Sequence, residues 1–480
     1  MEINSTESDY DRTIRGLFPN ASVMKPLTRL SKLPGVPQRV WEYFVLKYVD
    51  SSTTSDEVAR KMDEMLRVAR ERIPEPGSHN DSLNRLRTVG EIEIIDAVSV
   101  QINPNTMETR ATSHHFGGHV QIEIGDDIID ANEKMLFRPV WGRVLYGYNG
   151  EDIQVYRFDE IQNTNIRVSE FTLARQSLTT DEWIRLIVRS VGLNDDWLDE
   201  EGRWHVLTRL LPLVESRLHM MEPGPKETGK TTTYTNLDAR VSMVTGLDVT
   251  MAKLIFDGTR RIPGLLARNT DGLVVFDELQ NGRDRRSVGE LAGQLKQVME
   301  SGRIERLNFQ AETDVSIVFV GNTLARGDQV KQLMPSPFRE AAFLSRIAGL
   351  IDGHKMPTIE RGDISLAKGV GLTCDYFSEV IRQLRYQVTP NELLERVQVE
   401  GGSTRDERAI RRMLSAYLKL LHPDGNVTAS ELAMLAQRCL NLRLPIIEAS
   451  SHAEATIPRK IRLVVDGVEL GETEQAVRYS

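Results

Sequence analysis

The segment Gly224-Pro225-Lys226-Glu227-Thr228-Gly229-Lys230-Thr231 constrains this 480-residue chain more than any other stretch. Its spacing, G-x-x-x-x-G-K-T, is that of a P-loop, whose backbone N–H groups turn inward around phosphates. The glycines permit the turn, Lys230 reaches the β/γ oxygens, and the Thr231 hydroxyl suits Mg²⁺. Thr232 continues the cradle into a Thr-rich helix start. Such a loop belongs between a strand and a helix N-terminus, where unpaired N–H groups and the helix dipole favour negative charge. Leu218-His219-Met220-Met221 supplies a candidate strand immediately before it.

A second element lies about 45 residues downstream. Leu273-Val274-Val275-Phe276-Asp277-Glu278 is an apolar strand ending in two acids. Asp277 would hold the metal, directly or through water, and Glu278 would polarise an attacking water. Alone, these residues read as a buried strand with two solvated acids at its mouth; the loop upstream favours the metal-and-water reading. A third strand, Val315 to Thr323, ends in polar Asn322, for which a turn-forming Asn is the bland alternative.

Composition bounds what surrounds these elements. Hydrophobic residues at 40% and 34 glycines leave room for a sizeable core, and 480 residues suggest about three folding units. No apolar run approaches the ~18 residues of a membrane span. Met1 to Asp11 is polar and acidic, unlike a signal peptide, so a cytoplasmic location is expected. Cys374 and Cys439 are too far apart for a CxxC motif and read as buried small hydrophobes. The net charge of −9 excludes nucleic-acid binding by bulk charge and confines any such contact to a local basic stripe.

Patterning divides the chain. Residues 1–33 read as an N-terminal arm. Residues 34–175 read as a domain whose apolar stripes (Val40, Tyr43, Phe44; Val58, Met62, Leu66) give helices and whose alternation from Glu91 onward gives strands. Those strands suggest a small β-barrel or sandwich, with an oligonucleotide-binding (OB) barrel one candidate. Thr179 or Thr180 caps a helix through Trp183 and Ile187. From there helices alternate with buried strands, the α/β pattern. Residues 426–480 read as a tail ending in a hairpin around Asp466-Gly467. His114, His115 and His119 lack accompanying ligands and read as a loop or barrel rim rather than a metal site.

The three strand-end elements, in this order, resemble the AAA+ superfamily. That resemblance makes Asn322 the sensor 1 residue. It makes Arg346, in Phe343-Leu344-Ser345-Arg346-Ile347, an arginine finger acting on a neighbouring subunit's γ-phosphate, with Arg339 the competing candidate. It makes Arg405 to Arg412 the sensor 2 helix, with Arg408 best placed toward the nucleotide, against the alternative of a charged surface helix.

Flanking residues narrow the match. Leu178-Thr179-Thr180-Asp181-Glu182-Trp183 followed by Arg189-Ser190-Val191-Gly192, then Trp204-His205, Leu211 to Glu215, and Leu418 to Gly425, are similar to the BrxL family of BREX phage-defence systems. The likeness runs from about residue 35 to 425. It implies an α/β AAA+ P-loop ATPase core (176–358) with a helical lid (359–425), preceded by the mixed helical and β-barrel domain. It also implies ATP and Mg²⁺ as cofactors. The partners implied are other copies in a hexamer or double hexamer, double-stranded DNA, and other BREX proteins or phage factors.

Two departures matter. Glu227 stands where the family usually has glycine, and Thr231 where it has serine. Thr keeps the hydroxyl; Glu227 would weaken nucleotide affinity unless it points to solvent. Longer members also carry a Lon-protease-like domain with a Ser–Lys dyad. Here Asn426 to Ser480 is shorter than such a domain and lacks its nucleophile loop, so Ser450 and Lys460 read as ordinary tail residues and no peptidase activity is expected.

The family also resembles the replicative MCM helicases in its core. That likeness implies a hairpin in the ring channel at Ser301 to Phe309, where Arg303 or Arg306 would meet DNA phosphates, with Lys296 just before it. Arg283, Arg285 and Arg286 form a second candidate stripe; a solvated face or intersubunit ion pairs is the alternative for both. The expectation is a ring-forming ATPase that binds and translocates on duplex DNA in phage defence. A DNA clamp or scaffold whose ATP site governs assembly is the other reading.

Overall fold

Period-two alternation from Glu91 onward produces a barrel. In the computed structural model, residues 8–29, 36–49, 55–75, 77–102, 106–136, 139–161, 166–237, 240–246, 249–279, 285–325, 327–359 and 364–470 are described. The chain divides into two units: Met1–Asn165 with Lys368–Tyr376, and Ile166–Ala367 with Phe377–Ser480.

In the first unit, β1 (Ser22–Met24) pairs antiparallel with Val370–Leu372. Strands β2 (Glu91–Ile102), β3 (Thr109–Ser113), β4 (Ile122–Ile124), β5 (Val140–Tyr148) and β6 (Ile153–Glu160) close in the order β2-β3-β4-β6-β5. β4 and β6 run parallel and the other neighbours antiparallel. Closure leaves no unpaired strand edge. Ile92, Ile94, Val98, Val100, Val144 and Val155 fill one face; Ile95, Ala97 and Trp141 face outward and pack with Trp41, Phe44, Met62 and Met65 of the helices Gln38–Tyr48 and Ser55–Arg72.

The segment expected to be an arm is folded. Ser8 and Asp11 form a capping box on the helix Asp9–Leu17, and Ile14, Phe18, Val23 and Leu27 are buried. These apolar residues are too sparse to show a period, and the strand they support is paired more than 340 positions away. His114, His115 and His119 fall in the turn after β3, as expected of a rim.

The second unit is built on parallel strands. β7 (Met220–Gly224), β8 (Val241–Thr245), the short pair β9 (Phe256–Asp257) and β10 (Ile262–Pro263), β11 (Leu273–Asp277), the hairpin β12 (Arg303–Arg306) and β13 (Phe309–Glu312), β14 (Ser316–Asn322) and β15 (Gly349–Leu350) follow in turn. The main sheet has the order β15-β7-β14-β11-β8, and every neighbouring pair in it is parallel. It is covered on both faces, so β11 and β14 read as near-continuous apolar runs. Thr179, not Thr180, caps the helix Thr180–Ser190, with Glu182 completing the box.

Two further boundaries differ from expectation. Residues 368–376, expected in the lid, group with the first unit. Residues 426–480, expected to be a tail, begin with the 26-residue helix Ala429–Glu454, whose Leu432, Leu435, Ala436, Cys439, Ile446 and Ile447 are buried. The hairpin Arg462–Val465/Val468–Glu469 forms as expected and adds Val397–Glu400 as a third strand. Both cysteines are buried thiols. Among the described residues no helix is long and apolar enough to cross a membrane.

One buried carboxylate pins the barrel. Asp96 is 1% exposed and accepts from the Ser113 hydroxyl, from the Tyr146 hydroxyl at 2.8 Å and from the His115 amide at 3.0 Å. Asp96→Ala removes the acceptor from four donors, the Ala97 amide at 2.7 Å being the fourth, and should cost about 3 kcal/mol of stability, read from urea unfolding. A loss below about 0.5 kcal/mol would deny Asp96 this role.

Candidate active site

Register gathers the candidate residues at the C-terminal edge of the main sheet. Asn322 ends β14 opposite Gly224, the last residue of β7, and Asp277 ends β11 opposite Val320. The loop after β7 leads into the helix Lys230–Leu237. Lys230 is 7% exposed, and its ammonium folds back on the loop, donating to the carbonyls of Gly224 (3.3 Å) and Pro225 and to the Thr228 hydroxyl (3.3 Å). Burial lowers its pKa, opposed by Glu222 and Asp277. Gly224 abuts Gly353, where a Cβ would lie 2.7 Å from the facing Cα; Gly229 turns through φ +74°. Thr228 is buried, Pro225 half-buried, and Lys226 and Thr232 are exposed.

The Thr231 hydroxyl donates to Asp277 Oδ2 at 3.0 Å. A hydroxyl and a carboxylate side by side are hard oxygen donors. They fit Mg²⁺, which takes few protein ligands and completes its shell with phosphate and water. Among the described residues no group of three or more His, Cys, Asp or Glu forms another metal cluster. Glu278 follows at φ +56°, its amide bonded to the Val320 carbonyl at 3.2 Å. That left-handed backbone is unfavourable for a residue with a side chain and is held by the strand ends around it.

The downstream arginines sit at the other edge. Glu300 meets Arg346 Nε at 3.0 Å, Arg405 Nη2 at 3.0 Å and Arg408 Nη1 at 3.6 Å. Arg217 and Arg412 line the same cavity with His219, which directly precedes β7. His219 accepts from the Ile317 amide at 3.1 Å; burial and the nearby Arg412 hold it down to about 3, so it is neutral. Arg339, the competing finger, is not part of this cluster.

This placement corrects the expectation for Arg408. It is grouped with Arg346 near the N-terminal ends of β7 and β15, whereas the loop and Asp277 lie at the C-terminal ends. At ~3.3 Å per residue the two edges of a five-residue strand are roughly 15 Å apart. The reason is tertiary: the helix Thr404–Leu421 lays its first turns against Glu300 and Ser345.

The candidate DNA residues divide. Lys296 pairs with Glu340 at 3.0 Å. Arg306 is tied down, its Nη1 donating to the Phe256 carbonyl at 3.0 Å, while Arg303 is exposed. Arg283 lies outside the described residues; Arg285 and Arg286 begin the helix Arg285–Ser301, with their side chains outside the description. Sequence reasoning missed the β9–β10 hairpin. Its tip carries exposed Arg260 and Arg261, and the Phe256 and Phe309 rings stack at 4.5 Å to join it to β12–β13. Asp257-Gly258 was a turn signal, but two-residue strands carry no readable period.

Comparison with known proteins gives the family. Residues 153–456 match the family model "Lon-like protease BrxL-like, ATPase domain", and residues 16–148 match "BREX system Lon protease-like protein BrxL N-terminal". The chain belongs to the BrxL family. It therefore carries the BrxL ATPase domain, with an AAA+-type α/β fold. Curated relatives named "Lon-like protease BrxL" include one from Escherichia coli O9:H4 (strain HS), 27% identical over 93% of this chain. Another, from Bacillus cereus (strain H3081.97), is 24% identical over 87%. The matches span 65% and 63% of those two proteins' own lengths.

Backbone conformation and exposure account for Glu227. It sits at φ +62°, where glycine is the unstrained residue, and its side chain is exposed. Its carbonyl accepts from the Ile359 amide at 2.7 Å, which holds the turn. Glu227→Gly relieves left-handed strain but frees the unfolded chain, so stability should change by less than about 1 kcal/mol. ATP affinity should stay within roughly twofold, as for an exposed side chain. Titration calorimetry showing tenfold tighter ATP binding would mean that the carboxylate does face the phosphates.

Proposed function

We propose that this chain is an ATP hydrolase that assembles into a ring, binds and moves on double-stranded DNA, and serves BREX anti-phage defence. The observation that carries the reading is the division of the site between two edges of one sheet. Lys230, Thr231, Asp277, Glu278 and Asn322 gather at one edge, and Arg346, Arg405 and Arg408 at the other. One copy cannot bring its arginines to its own nucleotide. A neighbouring copy can, and head-to-tail contacts of that kind close into rings.

In this reading the loop amides and Lys230 neutralise the β and γ phosphates, and Glu278 orients the attacking water beside Asn322. Arg346 of the next copy, with Arg405 and Arg408, stabilises charge on the transferring group. Mg²⁺ between Thr231 and Asp277 would supply further neutralisation of the phosphates. Each copy would present the joined hairpins β9–β10 and β12–β13, with Arg260, Arg261 and Arg303, to a DNA backbone. In the first unit, the barrel order, the parallel β4–β6 pair and the helix Asp126–Ala131 between β4 and β5 support an OB-like barrel. A peptidase role is not proposed: the Ser450 hydroxyl is buried with no hydrogen bond to the described residues, and Lys460 is exposed in coil.

Complementation tests the shared site. Glu278→Gln and Arg346→Ala should each lower ATP turnover by about 10²–10⁴-fold while still binding ATP. Mixing the two inactive proteins should restore part of the turnover, because some interfaces then pair an intact Glu278 with an intact Arg346. No restoration, with mixed assemblies demonstrated, would refute a site shared between copies. Glu278→Gln should also stop movement on DNA without releasing it; if phage protection survives, the clamp reading replaces the motor.

Salt dependence tests the DNA surface. Arg260→Ala, Arg261→Ala and Arg303→Ala should each reduce the slope of log K against log [salt] by ~0.9 per lost phosphate contact per copy. Arg306→Ala should instead loosen the hairpin. An unchanged slope in the combined Arg260/Arg261/Arg303 variant would place DNA elsewhere.

A further inference from the structure

Beneath the phosphate loop lies an ion pair that none of the motifs includes. Arg209, on the helix Glu200–Val214, and Glu222, in the middle of β7, are both 0% exposed. Glu222 accepts from Arg209 Nε at 3.0 and 3.1 Å and from Nη2 at 2.6 Å, so the carboxylate covers one side of the guanidinium. His205 stands on the same carboxylate, its Nε2 3.3 Å from Oε1. Burial alone would raise the Glu222 pKa, but Arg209 and His205 outweigh it and hold it to about 2, so it is ionised.

The third guanidinium nitrogen is left over. Arg209 Nη1 is buried and has no hydrogen-bond partner among the described residues. It is 3.9 Å from the point where a Cβ on Gly229 would stand, at the underside of the loop. A second unpartnered buried group, the Tyr234 hydroxyl, lies on the helix that starts at Lys230. A buried N–H without an acceptor is costly, and such groups are kept where something else uses them. The pair is also a dipole. Its negative end is buried in the sheet at Glu222, and its positive end faces the residue whose peptide must point its N–H into the cradle.

We propose that Arg209 is a positioning residue of the nucleotide site: its free Nη1 edge, oriented by Glu222, supports the Gly229 turn and raises the positive potential under the phosphates. The proposal rests on the loop being the ATP site. It assigns Glu222 and His205 the task of aiming Arg209 rather than of touching nucleotide. It also gives Gly229 a second reason to lack a side chain, because a Cβ there would meet Ile359 Cδ1 at 2.7 Å and shield Nη1.

The test replaces the pair together. Removing one partner alone leaves a buried unpaired charge, whereas apolar replacement of both partners of a buried pair is often tolerated. The double variant Arg209→Met/Glu222→Met should keep its melting temperature within a few degrees of the parent. Its ATP Kd and the KM for hydrolysis should rise about tenfold, with kcat at saturating ATP little changed. Arg209→Lys is the companion, since it keeps a charge for Glu222 but loses the planar nitrogen facing Gly229, and it should also weaken ATP binding. Parent-like ATP affinity in either variant would overturn the proposal, and so would a fall in kcat with KM unmoved. Lys230→Ala, run in parallel, separates the two levels: if it still binds ATP, the loop is not the site, whatever the Arg209 variants do.

Discussion

Parallel strands impose the constraint on which the rest of the second unit depends. All five point the same way, so their C-terminal ends share one edge of the sheet and their N-terminal ends the other. Strands buried on both faces have little room for polar side chains along their length, and chemistry collects at the ends. Glu222 is an exception in mid-strand, and it survives there with two partners, Arg209 and His205. One edge gains the amides of the Gly224–Thr231 loop, a lysine and acids, the other a cluster of arginines. A site that needs both kinds of group is then incomplete within one copy.

How much of this was legible depended on how local each signal was. The Gly224–Thr231 loop, the acidic end of β11, the polar end of β14 and the Thr179–Glu182 cap are each written within a few consecutive residues. The structure builds each as a strand end, a loop or a cap. Arg408 carried no such local information. Its position depends on where the helix Thr404–Leu421 packs, and that helix is held by Glu300 more than 100 positions earlier. The helix Ala429–Glu454 was legible in principle from Leu432, Leu435, Ala436, Cys439, Ile446 and Ile447. Its period is blurred by Pro445 and by a buried Arg443 that pairs with Asp406 at 2.8 Å.

Backbone conformation carries a second layer that residue types alone only hint at. Glu227 and Glu278 both have positive φ, the first inside the Gly224–Thr231 loop and the second directly after β11. Each costs about 1–2 kcal/mol relative to an ordinary conformation, so the surrounding contacts must hold them. For Glu227 the holding contact is the Ile359 amide, and for Glu278 the Val320 carbonyl. Glycine would make the same turn at 227 without strain, and glutamate makes it here with the Ile359 contact. The φ value of +62° marks the position as one where a side chain is strained.

Net charge is informative only after it is divided. The chain totals −9, yet among the described residues the cavity at the N-terminal edge is lined by Arg217, Arg346, Arg405, Arg408 and Arg412 with Glu300, and Asp314 meets Arg217 at 3.4 Å. Arginines outnumber the acids around the cavity, and burial together with Arg217 pulls the Arg412 pKa below its usual range against the opposing pull of Glu215 and Asp314. Such crowding costs stability unless an anion of higher charge can replace or join Glu300. A nucleotide triphosphate presented by a neighbouring copy is such an anion, and its arrival would exchange arginine repulsion for charge-assisted hydrogen bonds. In the proposed ring, then, occupancy of one copy's loop and cohesion with the next copy would be the same interaction.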